Sequence, residues 1–157
     1  MPSSVLNQAP FNLAWGAQVY AQIIAYNIYG NSTVSSPGSG AIILTSPAAP
    51  VNLAENVVAR TATSVGLSFS SGATNGGAAV IDFTVSYDQA TGVWVDLQSN
   101  VLGTNYTASG LNTGSTYSFK VQSRNSYGLS SYSNLVTIMV ATVPAQPLTP
   151  VTSVVAD

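Results

Sequence analysis

The stretch "LNTGSTYSFKVQSRNSYGLSSYS", residues 111–133, decides the fold. From Tyr117 to Arg124, apolar and polar side chains alternate. A period of two places one set on a core face and the other in solvent, which is typical of a half-buried β-strand. The following run, "NSYGLSS", is rich in turn-forming residues. The stretch therefore predicts a strand that ends in a turn and leads to a neighbouring strand.

The same alternation occurs elsewhere in the chain, in "TSVGLSF" (63–69), "VIDFTVSYD" (80–88) and "VTIMV" (136–140). Breaks rich in Gly, Asn and Ser separate these runs, and no segment shows a helical period over ten residues. Short strands with turn signals between them indicate an all-β antiparallel sandwich. The side chains predicted to lie inside are Leu67, Phe69, Phe83, Val85, Tyr117, Phe119, Val121 and Ile138, and the alternation places Ile81 and Tyr87 on the same face.

The chain also repeats itself. "LAWGAQVYAQIIAYNIYGNS" (13–32) aligns without gaps with residues 111–130, and "PAAPVNLAENVVA" (47–59) matches "PAQPLTPVTSVVA" (144–156). The period is about 97 residues, and fixed periods are the signature of repeat architectures. We predict that residues 1–46 form the C-terminal part of one domain, 47–143 a complete domain, and 144–157 the first strand of a following domain.

The complete copy resembles a fibronectin type III domain. The resemblance is carried by "PAAPVNL", "TSVGLSF", "GGAAVIDFTVSY", the Trp of "GVWVDL" and "TNYTASGLNTGSTYSFKVQSRNSYGLSSYS". Leu111, Gly114 and Tyr117 look like the tyrosine corner of such sandwiches, which implies that the Tyr117 hydroxyl bonds to the chain just upstream. In two departures, Phe69 stands where the family usually has Trp, and Val19 takes the tyrosine position in the first copy. The resemblance implies an all-β, fibronectin type III-like (immunoglobulin-like) antiparallel β-sandwich in a tandem array.

Both copies contain the motif N-x-Y-G-x-S, at the end of the sixth strand. Gly30 and Gly128 are expected to supply a positive φ, and Asn27 and Asn125 to bond the backbone of the turn. We interpret the motif as scaffold. Some family members carry a receptor-binding tripeptide in this loop, but no Arg-Gly-Asp occurs here.

Composition excludes several classes of site. Only 5% of residues are charged, the formal net charge is −2, and the chain has no His and no Cys. Disulfides, thiolate or imidazole metal sites and Cys or Ser–His nucleophiles are therefore absent. The charge gives no electrostatic footprint for nucleic acid or an anionic membrane. We expect no catalytic, cofactor-binding or metal-binding residues, no enzymatic activity, no nucleic-acid partner and no membrane insertion.

The carboxylates fit a structural role better than a catalytic one. Asp82 and Asp88 lie six residues apart on the outward face of one strand, or roughly 20 Å. Glycosidase carboxyls sit about 5–10 Å apart, so this pair is too wide. We predict instead a cross-strand ion pair between one of these aspartates and Lys120 or Arg124.

Aromatic side chains could stack on sugars, but Trp94 and Tyr106 are predicted to pack the sandwich. Trp15 is predicted either to be exposed or to pack on a neighbouring domain. Two sequons, Asn31-Ser32-Thr33 and Asn105-Tyr106-Thr107, make Asn31 and Asn105 candidates for N-glycans if the chain passes through a secretory pathway. The Ser/Thr-rich loops could carry O-glycans.

These observations predict an extracellular or cell-surface structural protein, a repeat segment of a fibre or glycosylated surface filament that self-associates. Two Pro-bearing linkers, "TSPAAP" (45–50) and "TVPAQP" (142–147), should hold neighbouring domains in a fixed relation. The alternatives are an adhesion or glycan-binding module and a spacer domain of a secreted glycan-degrading enzyme. Because residues 1–46 supply only about three strands, we expect the chain to be an excerpt of a longer array.

Overall fold

Seven strands between Val51 and Met139 form a β-sandwich in the computed structural model, which describes residues 3–38 and 40–150. A segment of short elements precedes them. In chain order the elements are α1 (Ser3–Leu6), β1 (Gln18–Val19), β2 (Tyr26–Asn27), β3 (Gly30–Asn31), β4 (Ala41–Ile42), β5 (Val51–Asn56), a 3-10 turn (Val57–Ala59), β6 (Ser64–Ser70), β7 (Asp82–Tyr87), β8 (Val95–Val101), β9 (Asn105–Ser109), β10 (Thr116–Arg124) and β11 (Val136–Met139).

The sandwich has two antiparallel sheets. One has three strands in the order β5-β6-β9, and the other has four in the order β11-β10-β7-β8. In the larger sheet, Phe119 lies opposite Tyr87 and Val121 lies opposite Val85. Apolar residues thus meet across strands on the inner face, as the alternation predicted.

The predicted core is confirmed. All eight side chains predicted to lie inside are at most 5% exposed, and Phe69 meets Phe83 edge to face with ring centroids 5.0 Å apart. Tyr87 is half-buried and packs against this core. The prediction for Ile81 was wrong, since its side chain is 51% exposed. Ile81 lies one residue before β7 begins, so the alternation of that strand does not extend to it.

Residues 13–46 form what we call the N-terminal segment. Strand β1 pairs with β4, and β2 pairs with β3 in a hairpin. Ile23 is 71% exposed, whereas Val121, its match in the repeat, is fully buried. The difference arises because, within the described residues, no second sheet covers the segment. Its other exposed large apolar side chains are Tyr20, Ile24, Tyr26, Ile28, Tyr29, Val34 and Ile42.

Residues 144–150 form no strand and are exposed. The rest of the strand predicted for 144–157 lies outside the described residues. Within the described part of the chain, no helix is long and apolar enough to cross a membrane.

Candidate functional site

Two serines hold the strand that follows the turn of the sandwich. Ser130 Oγ accepts a hydrogen bond from Ser123 N–H, and Ser133 Oγ accepts one from Val121 N–H, both at 3.0 Å. The N–H groups of the same serines donate back to Ser123 and Val121 C=O, each at 2.8 Å. The serines thus supply hydrogen-bond partners to the backbone of β10 at Val121 and Ser123, beyond the residues that pair with β11.

The N-terminal segment makes the same set of bonds about 98 residues earlier. Ser32 Oγ accepts from Ala25 N–H and Ser35 Oγ accepts from Ile23 N–H, both at 3.0 Å. Ser32 N–H donates to Ala25 C=O at 2.8 Å and Ser35 N–H to Ile23 C=O at 3.0 Å. The two hairpins therefore have equivalent hydrogen bonding, although one lies in a sandwich and the other does not.

Asn125, the first residue of the motif in the sandwich, is 3% exposed and connects three segments. Its Oδ1 accepts from the N–H groups of Tyr127 (2.9 Å) and Gly128 (3.0 Å). Its Nδ2 donates to the C=O groups of Thr45 and Asn75, both at 2.8 Å. Both donors and both lone pairs of the amide are thereby used.

The prediction that this asparagine bonds the turn backbone is confirmed, but its contact with Thr45 and Asn75 was not foreseen. The prediction of a positive φ is confirmed at Gly30, where φ is +138°, and is wrong at Gly128. The Asn125 side chain closes that turn through two N–H groups, so no left-handed residue is needed.

The linker that leads into the sandwich lies against the loop 71–79. Thr45 N–H donates to Gly76 C=O and Ala48 N–H donates to Thr74 C=O, both at 2.9 Å. Pro47 and Pro50 are buried. The linker is therefore bonded to the sandwich through its backbone and does not run free in solvent.

Glycines permit this close approach. A Cβ at Gly76 would overlap Thr45 O, and one at Gly77 would overlap the backbone of Trp15 and Gly16. Trp15 is half-buried, and its backbone contacts the sandwich at Gly77. We call the contact of residues 15–16 and 45–50 with the loop 71–79 and Asn125 the junction.

Asn27, the first residue of the motif in the N-terminal segment, makes fewer hydrogen bonds than Asn125 does. Asn27 Oδ1 accepts from Tyr29 N–H at 2.8 Å, as Asn125 does from Tyr127. Among the described residues, the Asn27 amide nitrogen donates no hydrogen bond. A cleft of about 360 Å³ lies here, which we call the Asn27 cleft; it is lined by Ala25, Tyr26, Asn27, Tyr29, Gly30, Asn31 and Ser32.

At the opposite end of the sandwich lies the predicted tyrosine corner. Tyr117 is 4% exposed, and its hydroxyl oxygen accepts from Asn112 N–H at 3.1 Å. Leu111 is buried beside it, and Gly114, with φ at +81°, donates its N–H to Val140 C=O at 2.7 Å. The hydrogen bond from Asn112 N–H to the Tyr117 hydroxyl is the upstream bond that such a corner makes.

Comparison with known proteins agrees with this geometry. Residues 48–139, more than half of the chain, match the fibronectin type III domain family. The chain belongs to this family. The N-terminal segment lies outside the matched residues, and in it Val19 has no hydroxyl for a corner bond, although Gly16 N–H still donates to Ile43 C=O at 2.8 Å.

Solved structures show the same fold. Domains A168–A170 of titin are 19% identical over 83% of this chain and 43% of that one, with a TM-score of 0.63. The twitchin kinase region from C. elegans is 25% identical over 62% and 17%, with a TM-score of 0.56. The domain of human fibronectin type III domain containing protein 3 is 21% identical over 66% and 93%, with a TM-score of 0.54. The chain thus spans less than half the length of the titin and twitchin fragments.

The predicted cross-strand ion pair joins Asp82 and Arg124 of the fibronectin type III domain. Arg124 Nε lies 3.0 Å from Asp82 Oδ1, and Asn100 Oδ1 accepts from Nη2 at 3.1 Å. The hydrogen bond with Asp82 raises the pKa of Arg124 above its usual value. Asp82 was expected to face solvent, but it is 3% exposed, because Arg124 and the neighbouring strand cover it.

Asp88 makes hydrogen bonds instead of an ion pair. Its Oδ1 accepts from the N–H groups of Ser118 (3.0 Å) and Ala90 (3.1 Å). Burial acts to raise the pKa of this carboxyl, but the hydrogen bonds outweigh it and hold the pKa below its usual range. The remaining arginine, Arg60, pairs with Glu55 at 2.5 Å, a contact that the sequence did not predict.

Trp94 lies on the outer face of the larger sheet, so the prediction that it packs the sandwich was wrong. Lys120 Nζ lies 4.0 Å from the centroid of the Trp94 ring and 3.9 Å from that of Tyr132. The two rings hold the ammonium by cation–π attraction. Ring faces that hold a lysine are not open to sugar stacking. Tyr106, in contrast, packs against the core as predicted, and burial raises its pKa.

Both sequon asparagines are exposed. Asn31 ends the short strand β3 and lines the Asn27 cleft, and Asn105 begins β9, the edge strand of the smaller sheet. Their side chains are therefore accessible to a modifying enzyme. Within the described residues, no group of three or more acidic side chains could hold a metal ion.

Proposed function

We propose that this chain is a non-enzymatic structural protein, a repeat segment of a fibre or surface filament outside the cell or at its surface. Its function is to hold neighbouring fibronectin type III domains in a fixed relation to one another. The single observation that carries the proposal is the junction, in which a Pro-bearing linker is fastened to the domain by backbone bonds.

The physical argument concerns stiffness. A linker of this length would be flexible if it were only solvated, although its prolines restrict φ. Here Thr45 is held on both sides, by its N–H on Gly76 and by its C=O on Asn125. A relative rotation of the two parts would break these bonds and expose the buried Pro47 and Pro50.

The internal repeat supports a tandem array. The hairpins of the N-terminal segment and the domain share their serine and asparagine bonds, and Gly16–Ile43 repeats Gly114–Val140. The titin alignment also covers 83% of the chain, more than residues 48–139 make up. We infer that the N-terminal segment belongs to a second unit of the same kind.

The surface suits close packing or a sugar coat. All three cationic side chains are engaged, Arg60 with Glu55, Arg124 with Asp82, and Lys120 between two rings. A surface with so few free charges has weak colloidal repulsion. Self-association, N-glycans on Asn31 and Asn105, and O-glycans on the Ser/Thr-rich loops therefore form part of the proposal.

The stiffness of the junction is testable by amide hydrogen exchange, read residue by residue by NMR. In the unaltered chain, the Thr45 and Ala48 amides should be protected, because both donate to the loop 71–79. Gly76→Ala should accelerate exchange of the Thr45 amide at least tenfold, since the added Cβ collides with Thr45 O.

The matched control is Gly92→Ala. Gly92 has φ at +81°, close to the +70° of Gly76, but a Cβ there meets nothing within 4 Å. Both variants carry the same backbone strain, and only one disturbs the junction. Exchange of Thr45 in the unaltered chain at the rate of an unstructured peptide would overturn the proposal.

A further inference from the structure

The loop 71–79 contains the one Asn-Gly pair of the sequence, Asn75-Gly76. An asparagine that precedes glycine can react with its own backbone, because glycine has no side chain to keep its nitrogen away from the asparagine amide. Every other asparagine of the chain precedes a residue with a side chain. Asn75 is also exposed, so water reaches its amide.

Hydrogen bonds bring the two reacting groups of this pair together. Asn75 Oδ1 accepts from Gly77 N–H at 3.0 Å. The ring that this bond closes contains both Asn75 Cγ and Gly76 N, so the side-chain amide is held near that nitrogen. Gly77 N–H also faces the oxygen on which negative charge develops when Cγ is attacked, and such a donor stabilises the charge. Gly76 N–H itself makes only a long bond, to Thr74 Oγ1 at 3.2 Å.

We propose that Asn75 is a site of spontaneous deamidation, at which the asparagine converts to aspartate and isoaspartate with water as the co-reactant. In the first step Gly76 N forms a bond to Asn75 Cγ and the Cγ–Nδ2 bond breaks. The proton of Gly76 N leaves with Nδ2 as ammonia, and a succinimide ring remains. In the second step water opens the ring: its hydroxyl joins one ring carbonyl carbon, and its proton returns to Gly76 N as that carbon's bond to the nitrogen breaks.

The two products differ in the course of the backbone. Breaking the bond at Cγ gives aspartate and leaves the backbone as it was. Breaking the bond at the α-carbonyl carbon gives isoaspartate, in which the chain runs through Cγ and is longer by a methylene carbon. The former Asn75 C=O is then a free carboxylate outside the peptide chain.

The isoaspartate product removes contacts of the junction. Asn75 C=O accepts from Asn125 Nδ2 at 2.8 Å, and the next carbonyl, Gly76 C=O, accepts from Thr45 N–H at 2.9 Å. Gly76 lies so close to the linker that an added Cβ would overlap Thr45 O, so a lengthened backbone cannot keep both bonds. Isoaspartate therefore loosens the linker. The reaction itself is independent of the proposed function, but its effect on an array rests on that function.

The test incubates the full 157-residue chain at 37 °C in neutral buffer for several weeks. Peptide mapping by mass spectrometry should show conversion of Asn75 at least tenfold faster than that of Asn31, which is exposed and precedes Ser32. Electron-transfer fragmentation should identify isoaspartate among the products. In the isoaspartate form, separated by anion exchange, the Thr45 amide should exchange at least tenfold faster than in fresh protein.

Two variants separate the reaction from its effect. Asn75→Gln should stay unconverted and keep a protected Thr45 amide through the same incubation, because its amide carbon lies one bond further from Gly76 N. Asn75→Asp carries the charge of the products on an unaltered backbone. In fresh Asn75→Asp protein, the Thr45 amide should exchange within about twofold of its rate in the unaltered chain.

An intact Asn75 after the incubation, or conversion no faster than at Asn31, overturns the inference. So does an isoaspartate form whose Thr45 amide exchanges as slowly as in fresh protein. Failure of the proposed function is distinguishable, because it is read from the Thr45 amide of fresh protein, before any conversion.

Discussion

At the scale of single residues, Phe119 is the largest of the fully buried side chains among the described residues. It is fully buried, and its ring centroid lies 6.4 Å from those of Tyr87 and Tyr117. Phe119→Ala should lower the free energy of unfolding by about 3–5 kcal/mol, because it removes buried area and leaves a cavity. Urea denaturation measures this value.

The control for this substitution is Tyr127→Ala. Tyr127 is 62% exposed, so its loss should change the free energy of unfolding by no more than about 0.5 kcal/mol. A cost below about 1 kcal/mol for Phe119→Ala would contradict the packing described for the inner faces of the two sheets.

Single residues also show where sequence reasoning succeeds. The alternation identified Tyr117, Phe119 and Val121 as buried, because a period of two fixes which face each side chain occupies. The same rule predicted that Asp82 lies on the outer face, but it could not predict that Arg124 covers the Asp82 side chain. Nor could it place Trp94 over Lys120, since a pattern along one strand does not reveal what lies on the outside of the sheet.

At the scale of elements, Asp88 fastens the end of β7 to the start of β10. Its folded pKa is depressed, so the folded state releases this proton more readily than the unfolded chain does. The stability it contributes is therefore present above the unfolded pKa, about 3.9, and is lost as pH falls through the folded value.

We expect the free energy of unfolding to be nearly constant from about pH 5 to 8, where no His or Cys side chain titrates, and to fall below about pH 4. Asp88→Asn should be less stable at pH 7 and should lose less stability on acidification. Urea midpoints at pH 7, 4 and 2.5 measure this. An equal acid loss in both proteins would assign the effect to other carboxyls.

Elements differ in how far the sequence predicts them. The strands of the sandwich are visible because each carries its own alternation. The junction could not be predicted from the sequence, because its contacts join residues that are far apart in the chain, such as Asn125 with Thr45. The glycine pair in "TNGG" was the available signal, but adjacent glycines in a loop indicate a turn as readily as a close contact between segments.

At the scale of the whole molecule, the two exposed sequons predict N-glycosylation. If the protein is made in a eukaryotic secretory pathway, we expect glycans at Asn31 and Asn105, because both side chains are accessible. Intact mass spectrometry should show the added mass, and Asn31→Gln and Asn105→Gln should each remove one increment. Unmodified peptides at both sites would remove glycans from the proposed function.

The contacts that hold all three cationic side chains affect where proteases can cut the chain. Proteases of the trypsin type cut only after Lys or Arg, and they favour exposed, extended segments. Arg60, Lys120 and Arg124 all lie within the domain, each held by a carboxylate or by aromatic rings. The exposed residues 142–150 contain neither residue type, and neither does the linker 45–50. Such proteases therefore find no cleavage site between one domain and the next, and the connections in an array of these units would survive as long as the domains stay folded.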